Sequence, residues 1–263
     1  MRNIASEIGQ KPTAVSSVLR AVKILVCLGN GINAVTDIAN CCNLTKPTVY
    51  RLLKTLEESL LVTQDPITHR YYLGPLINQI ASNPQTTHHY LIMCALEELK
   101  HLWDFAGETV ELSIMVGIQY VRLHEIPSKH NLKVIEGPDP VGPVYVGASA
   151  KVLLSQLNDE ELKIVMKSIE IRRITEYSVI DKEILTAQSK KVRQQGYAIS
   201  YGERIAGALC ISAPVKNYSW PVALSVIAPE IRLKPRVDEM VKEVTASARR
   251  ITSNIAEFSK QRG

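Results

Sequence analysis

The chain has 263 residues, enough for one large domain or two unequal ones, and its 46% hydrophobic and 22% charged content is that of a globular protein rather than a disordered or fibrous one. No apolar run approaches the roughly 18 residues that span a bilayer, and residues 1–11 lack the apolar core of a signal peptide, so no membrane partner and a cytoplasmic location are expected. The net charge of +5 does not demand a nucleic-acid partner, but residues 1–75 carry eight Lys and Arg against five Asp and Glu, a mild bias that suits an N-terminal DNA contact.

Residues 1–15 read as a polar N-terminal arm. From Ser16 the run SSVLRAVKILVCLG predicts a helix with Leu19, Val22, Val26 and Gly29 near one stripe, stopped by Gly29-Asn30-Gly31. A short helix over Val35–Asn40 follows, then a turn at Cys42-Asn43-Leu44 and a third helix from Thr45 to about Glu58. In the third helix Val49, Leu52, Leu53 and Leu56 recur at i, i+3, i+4, i+7 and supply the buried stripe. Thr45 suits the N-cap, and Pro47 is tolerated in a first turn whose N–H groups have no partner anyway. Leu61–Thr63 and Arg70–Leu73 are strand-like, and Gln64-Asp65-Pro66 turns them into a hairpin. Three helices and a hairpin over residues 16–74 make a winged helix-turn-helix.

The buried stripe leaves Lys46, Thr48, Tyr50, Arg51 and Lys54 pointing outward. Donors near a helix N-terminus are what the major groove asks for. Lys46 and Thr48 suit a base edge or a phosphate, Arg51 suits either, and Lys54 suits a phosphate. Taken singly, these residues fit a solvated bundle face equally well. What favours double-stranded DNA is the hairpin that follows, with His69 and Arg70 at its tip, placed to lie along the backbone or in the minor groove.

Gly74-Pro75 ends that unit. Residues 75–85 read as a linker with a short helix over Leu76–Ala81, and Ser82-Asn83-Pro84-Gln85 marks the boundary. Beyond it, helices are expected at Tyr90–Phe105, Ser149–Leu157, Asp159–Ser168, Asp181–Gln195 and Pro235–Phe258. Strands are expected at Thr109–Val116, Tyr120–Glu125, Tyr197–Gly202, Ala208–Pro214 and Val222–Ile227, with a Pro- and Gly-rich loop at Glu136–Pro143. Residues 86–263 are therefore an α+β domain.

Enzyme motifs are missing where they would be needed. Gly142 and Gly147 have P-loop spacing, but Ala148 and Ser149 replace the Lys-Ser/Thr pair, and Lys151 comes too late to cradle a phosphate. Neither G-x-S-x-G nor H-E-x-x-H occurs. Glu203, in SYGER, has no histidine partner for general-base work and reads as a strand-end carboxylate held by Arg204 or backbone N–H groups. His88 and His89, adjacent on a helix, point apart, against a shared metal. Cys27, Cys41, Cys42, Cys94 and Cys210 form no CxxC pair or zinc spacing and read as buried thiols. A redox pair at Cys41-Cys42 is the rival reading, with nothing nearby to activate a thiolate. Gly147-Ala148-Ser149, small residues opening a helix, either expose N–H groups to an anion or merely allow close helix–sheet packing. No catalytic residue, metal or cofactor is assigned; the rival to a DNA-binding regulator is a metabolic enzyme or standalone sensor whose winged segment serves protein contacts.

The segments LTKPTVYRLLKTLEESLLV (Leu44–Val62), HRYYLGPLI (His69–Ile77), GPVYVGASAKVLLSQL (Gly142–Leu157), VRQQGYAISYGERIAGALCISAPVKN (Val192–Asn217) and PVALSVIAP (Pro221–Pro229) occur in order. Together they resemble the IclR family of bacterial transcription regulators across nearly the whole chain from about residue 15. The resemblance implies a winged helix-turn-helix joined by a linker helix to a GAF-like, small-molecule effector-binding domain. It also implies homodimers able to pair into tetramers on palindromic operators, as repressor or activator. The effector, a small organic acid, is expected against Ala148, Ser149, Ser200, Cys210 and Ser225. Three departures from the family pattern stand out: Lys216 in place of an aromatic, Ser59 in place of a glycine after the recognition helix, and Ile227 in place of a small polar residue.

Overall fold

The computed structural model describes residues 15–135 and 137–262, so the arm expected over 1–15 lies outside the described residues but for Val15. The chain folds as two units, one ending at Asn83 and the other running from Pro84 to Arg262. No helix among the described residues is long and apolar enough to cross a membrane.

The first unit comprises α1 (Ser16–Gly29), α2 (Val35–Cys42), α3 (Lys46–Glu58), a hairpin of β1 (Val62–Gln64) and β2 (Tyr71–Leu73), and α4 (Pro75–Ala81). Its core joins Ile24, Cys27 and Leu28 of α1 to Ile38 and Cys42 of α2 and to Val49, Leu53 and Leu56 of α3, closed by Val62 and Tyr71 of the hairpin. The α3 stripe is the one its periodicity predicts, with Leu52 half-buried at its margin. The α1 stripe differs: Val22 and Gly29 are exposed, Leu19 and Val26 are half-buried, and Ile24, Cys27 and Leu28 are buried instead. Val18 to Leu28 is apolar at most positions, so periodicity offers several candidate stripes and only the packing of α2 and α3 selects one.

The wing is entered through a left-handed residue one position after Ser59, the residue that the family resemblance sets in place of a glycine. Ser59 is ordinary (φ −88°), whereas Leu60 takes the left-handed conformation (φ 60°). The position that wants glycine is thus Leu60, because a Cβ there meets the following carbonyl. The Leu60 carbonyl accepts the Leu76 N–H (3.1 Å), and a Cβ added at Gly74 would stand 2.2 Å from that same oxygen. Opposite effects follow: Leu60→Gly should leave the melting temperature of the first unit unchanged or raise it slightly, and Gly74→Ala should lower it. Circular dichroism melts of the full chain test both.

The second unit is α+β and GAF-like. It contains α5 (Pro84–Thr87), α6 (His89–Ala106), β3 (Thr109–Val116), β4 (Gln119–Ile126), β5 (Val141–Pro143), α7 (Gly147–Ser155), α8 (Asp159–Ser168), α9 (Lys182–Gln195), β6 (Ala198–Tyr201), β7 (Ala208–Val215), β8 (Val222–Pro229), α10 (Glu230–Leu233) and α11 (Val237–Arg262). Among the described residues the strands form one antiparallel sheet of order β5-β4-β3-β8-β7-β6. The expected elements recur with shifted ends; α5, which falls at the expected boundary, β5 and α10 are additions. β5 falls in the expected loop because three residues, two of them Gly and Pro, carry no periodicity, and proline is tolerated on the sheet edge it forms.

Alternation along the strands gives the sheet two unlike faces. One is aliphatic: Val110, Leu112 and Ile114, Leu209 and Ile211, and Leu224 and Val226 pack with Leu99 of α6 and Val244 and Ile251 of α11. The other, where α7 packs, carries small and polar side chains. Ser200 pairs across from Cys210, Ser212 from Ser225, and Ser225 from Glu111, which places these residues on a single buried face.

Two histidines of this unit tie its stability to pH. His88 is buried with Nδ1 2.7 Å from the Tyr218 hydroxyl, and burial pushes the pKa of both His88 and His124 below the ordinary value. A folded-state pKa below the unfolded one favours the neutral ring, so the stabilisation is complete above about 6.5 and lost progressively as pH falls below it. Melting temperature should therefore drop from pH 7.5 toward about 5.5, and the His88→Gln/His124→Gln variant should show a flatter profile.

Candidate functional site

In the first unit, α3 presents two outward rows. Lys46, Tyr50 and Lys54 follow each other at i, i+4, i+8, with Lys54 Nζ 5.7 Å from the Tyr50 ring centroid and bonded to Glu57 at 2.8 Å. Thr48 and Arg51 lie beside them, and Arg51 is exposed. Thr45 holds the N-cap position, yet its hydroxyl bonds the Thr48 hydroxyl (2.9 Å) and no backbone N–H. The wing tip is an Asx turn in which Asp65 Oδ1 accepts the N–H groups of Ile67 and Thr68 (2.8 and 3.0 Å). Those bonds hold the Asp65 carboxyl below its usual pKa. His69, left-handed at φ 55°, and Arg70 are exposed at this tip. Ile67, which the sequence does not single out, is 87% exposed there. An apolar residue offered at a wing tip suits wedging against a minor groove.

In the second unit, a cavity of about 20 Å³ lies between the start of α7 and the strands β6 to β8. Gly147 opens α7 with φ 89°, a conformation that admits glycine readily. Its N–H donates to Glu203 Oε2 (3.2 Å), and the Ala148 N–H donates to Ser200 Oγ (2.9 Å). Two of the three N–H groups expected to await an anion are therefore already engaged, one of them by a carboxylate of the chain itself. Lys151, one turn into α7, forms a short hydrogen-bonded ion pair with Glu203 Oε1, and both residues are buried. Glu203 is thus held by a backbone N–H and by Lys151, while Arg204 stacks on Tyr120 (4.3 Å to the ring centroid) and donates to the Pro143 carbonyl at 3.1 Å.

Four of the five expected effector residues, Ala148, Ser149, Ser200 and Cys210, line this cavity. Ser225 stands behind it, wholly buried, 2.9 Å from the Ser149 hydroxyl. Ser225 donates to Ser212 (2.9 Å), and Ser212 donates to the Leu224 carbonyl (3.2 Å). Each hydroxyl has one proton, so the chain of bonds runs inward from Ser149, and Ser149 offers lone pairs to the cavity. Ser200, whose oxygen accepts from Ala148, keeps its proton to donate. Ile227 forms an apolar wall.

Residues 85–253 match the C-terminal family of the bacterial transcriptional regulator IclR, and residues 17–66 match the IclR helix-turn-helix domain. The chain belongs to the IclR family. This family member is 28% identical over 254 residues to the HTH-type transcriptional regulator KdgR of Escherichia coli K12, covering 95% of this chain and 96% of KdgR. The fold is also that of Thermotoga maritima IclR (21% identity, TM-score 0.61, covering 91% of this chain and 98% of that one). A third relative is an IclR homolog from Microbacterium hydrocarbonoxydans complexed with 4-hydroxybenzoate (20% identity, TM-score 0.56, covering 92% of this chain and 100% of that one). The protein is a DNA-binding transcription regulator with an effector-binding C-terminal domain, and not an enzyme.

Residue-level reading of this IclR-family regulator missed the Lys151–Glu203 pair, although a signal existed. Every residue of α7, from Gly147 to Ser155, is buried, and a lysine in so small and apolar a helix requires an internal anion.

Proposed function

We propose that this regulator reads a palindromic operator as a homodimer and changes its grip when a small organic acid enters the cavity at the start of α7. Base edges are assigned to Lys46, Thr48, Tyr50 and Arg51, the phosphate backbone to Lys54 and Arg70, and the wing contact to His69 and Arg70. A two-fold protein presenting two copies of α3 calls for two half-sites related by the same symmetry. The observation that carries the effector class is the Glu203 carboxylate at the α7 N-terminus: the protein already keeps a carboxylate there, bonded to the Gly147 N–H. A cavity of about 20 Å³ holds no more than a water-sized guest, so an acid enters only as side chains such as Glu203 move aside. The acid then takes the Gly147 N–H and the Ser200 hydroxyl, with Ala148, Ser149 and Cys210 as walls and Ser225 orienting Ser149. The 4-hydroxybenzoate complex of the Microbacterium relative is the kind of ligand this reading calls for.

The test is thermal-shift and gel-shift titration with acetate, pyruvate and 4-hydroxybenzoate beside their neutral amides. An acid that raises the melting temperature and alters binding to the intergenic DNA beside the gene, where its amide does neither, supports the proposal. Amides that act as well as acids overturn the effector class. Absence of sequence-preferring DNA binding at low salt, with and without acids, overturns the operator reading.

A further inference from the structure

Three cysteines meet in the DNA-binding unit. Cys27 Sγ of α1 lies 3.0 Å from Cys41 Sγ and 3.6 Å from Cys42 Sγ of α2. Cys27 and Cys42 are buried and belong to the core on which Val49 and Leu53 of α3 rest, while Cys41 is exposed. The sequence points to the neighbours Cys41 and Cys42 as the pair to consider; the fold instead sets Cys41 against Cys27, fourteen residues away. Sulfurs at 3.0 Å need to approach by about one ångström to bond, since a disulfide measures about 2.05 Å.

We infer that Cys27 and Cys41 are a peroxide-sensitive dithiol whose oxidation to an intramolecular disulfide weakens operator binding. The exposed Cys41, as its thiolate, attacks a hydroperoxide oxygen; the O–O bond breaks, and a sulfenic acid and hydroxide (or an alkoxide) result. Cys27 then attacks the sulfenic sulfur, the S–S bond forms, the S–O bond breaks, and the hydroxyl leaves as water with the Cys27 proton. Two thiols and one hydrogen peroxide thereby give one disulfide and two waters, two electrons passing from sulfur to oxygen. Burial raises the pKa of Cys27 and keeps it protonated, which leaves Cys41 to react first. Drawing the two sulfurs together draws α1 toward α2, and α3 packs on both. Base recognition tolerates displacements of only about 0.5 Å, so a shift of this size at the base of the recognition helix loosens the complex.

The experiment exposes the full chain to stoichiometric hydrogen peroxide under non-reducing conditions. Wild type is expected to lose about 2 Da, the mass of two hydrogens. Trypsin combined with cleavage before Asp37 should leave Ile24–Thr36 and Asp37–Arg51 joined until dithiothreitol is added. Cys42→Ala should behave as wild type, and Cys41→Ser should form no internal crosslink. Oxidised wild type should bind the intergenic DNA at least about fivefold more weakly, with recovery on reduction and no change in Cys41→Ser. Oxygenated Cys41 without a crosslink, a crosslink between two chains, or an internal disulfide in Cys41→Ser overturns the pairing. A mapped Cys27–Cys41 disulfide with unchanged DNA affinity overturns the regulatory role. Neither result depends on the effector, so this proposal and the acid reading fail separately.

Discussion

Arg51→Ala should lower discrimination between operator and random duplex by about 1–3 kcal/mol, because a bidentate base contact is worth that much against the wrong base. The side chain is exposed, on the outward side of α3 opposite Val49, Leu53 and Leu56, so truncation leaves the core of the first unit intact. Gel-shift titrations against operator and scrambled DNA over a salt series measure the effect. If Arg51 holds only a phosphate, both affinities fall together and the salt slope shrinks by about one. Tyr50 and Lys46 share the neighbouring row of the helix, and Lys54 is already engaged by Glu57. Their substitutions should therefore separate base reading from backbone anchoring, with Lys54→Ala reducing specific and random binding alike.

The second large effect is expected at the buried ion pair. Lys151→Ala leaves the Glu203 carboxylate buried with the Gly147 N–H, and removing one partner of such a pair costs about 3–5 kcal/mol. For a unit of this size that is a fall in melting temperature on the order of 10 °C. The double variant Lys151→Met/Glu203→Gln removes both charges, and most of the loss should return. Its response to organic acids should nevertheless be altered, because the carboxylate that holds the α7 N-terminus is gone. A Lys151→Ala melt within a degree of wild type would show that the pair is solvated and adds little.

How much could be read directly depends on whether a feature is periodic or paired. In α3 the apolar residues fall on one stripe and the rest of the helix is polar, so burial and the outward set from Lys46 to Lys54 were legible. In α1 most positions from Val18 to Leu28 are apolar, and periodicity alone does not pick out the buried stripe. The hairpin is legible through its turn residues, but the left-handed residue at its entrance is Leu60, one position after the Ser59 that departs from the family's glycine. In the second unit the small residues at the start of α7 fit either a cavity or close packing, and the family resemblance is what points to the cavity found there. Which serine lines it depends on strand register, and Ser225 proved to support Ser149 from behind.

The winged helix-turn-helix, the longer helices and strands of the α+β unit in their order, and the resemblance to the family are thus all legible in the linear chain. The elements rest on patterns that repeat within a few residues: 3.6-residue stripes, two-residue alternation, and turn residues at fixed offsets; the family rests on the ordered motif segments instead. What each functional group meets is fixed by the three-dimensional packing. Glu203 reaches Lys151 across 52 residues, Ser149 reaches Ser225 across 76, and Cys27 reaches Cys41 across 14. Such partners are set by sheet register and by which helix faces pack. A one-residue slip in strand register turns a side chain to the opposite face, a one-residue shift along a helix turns it by about 100°, and no local pattern records either choice.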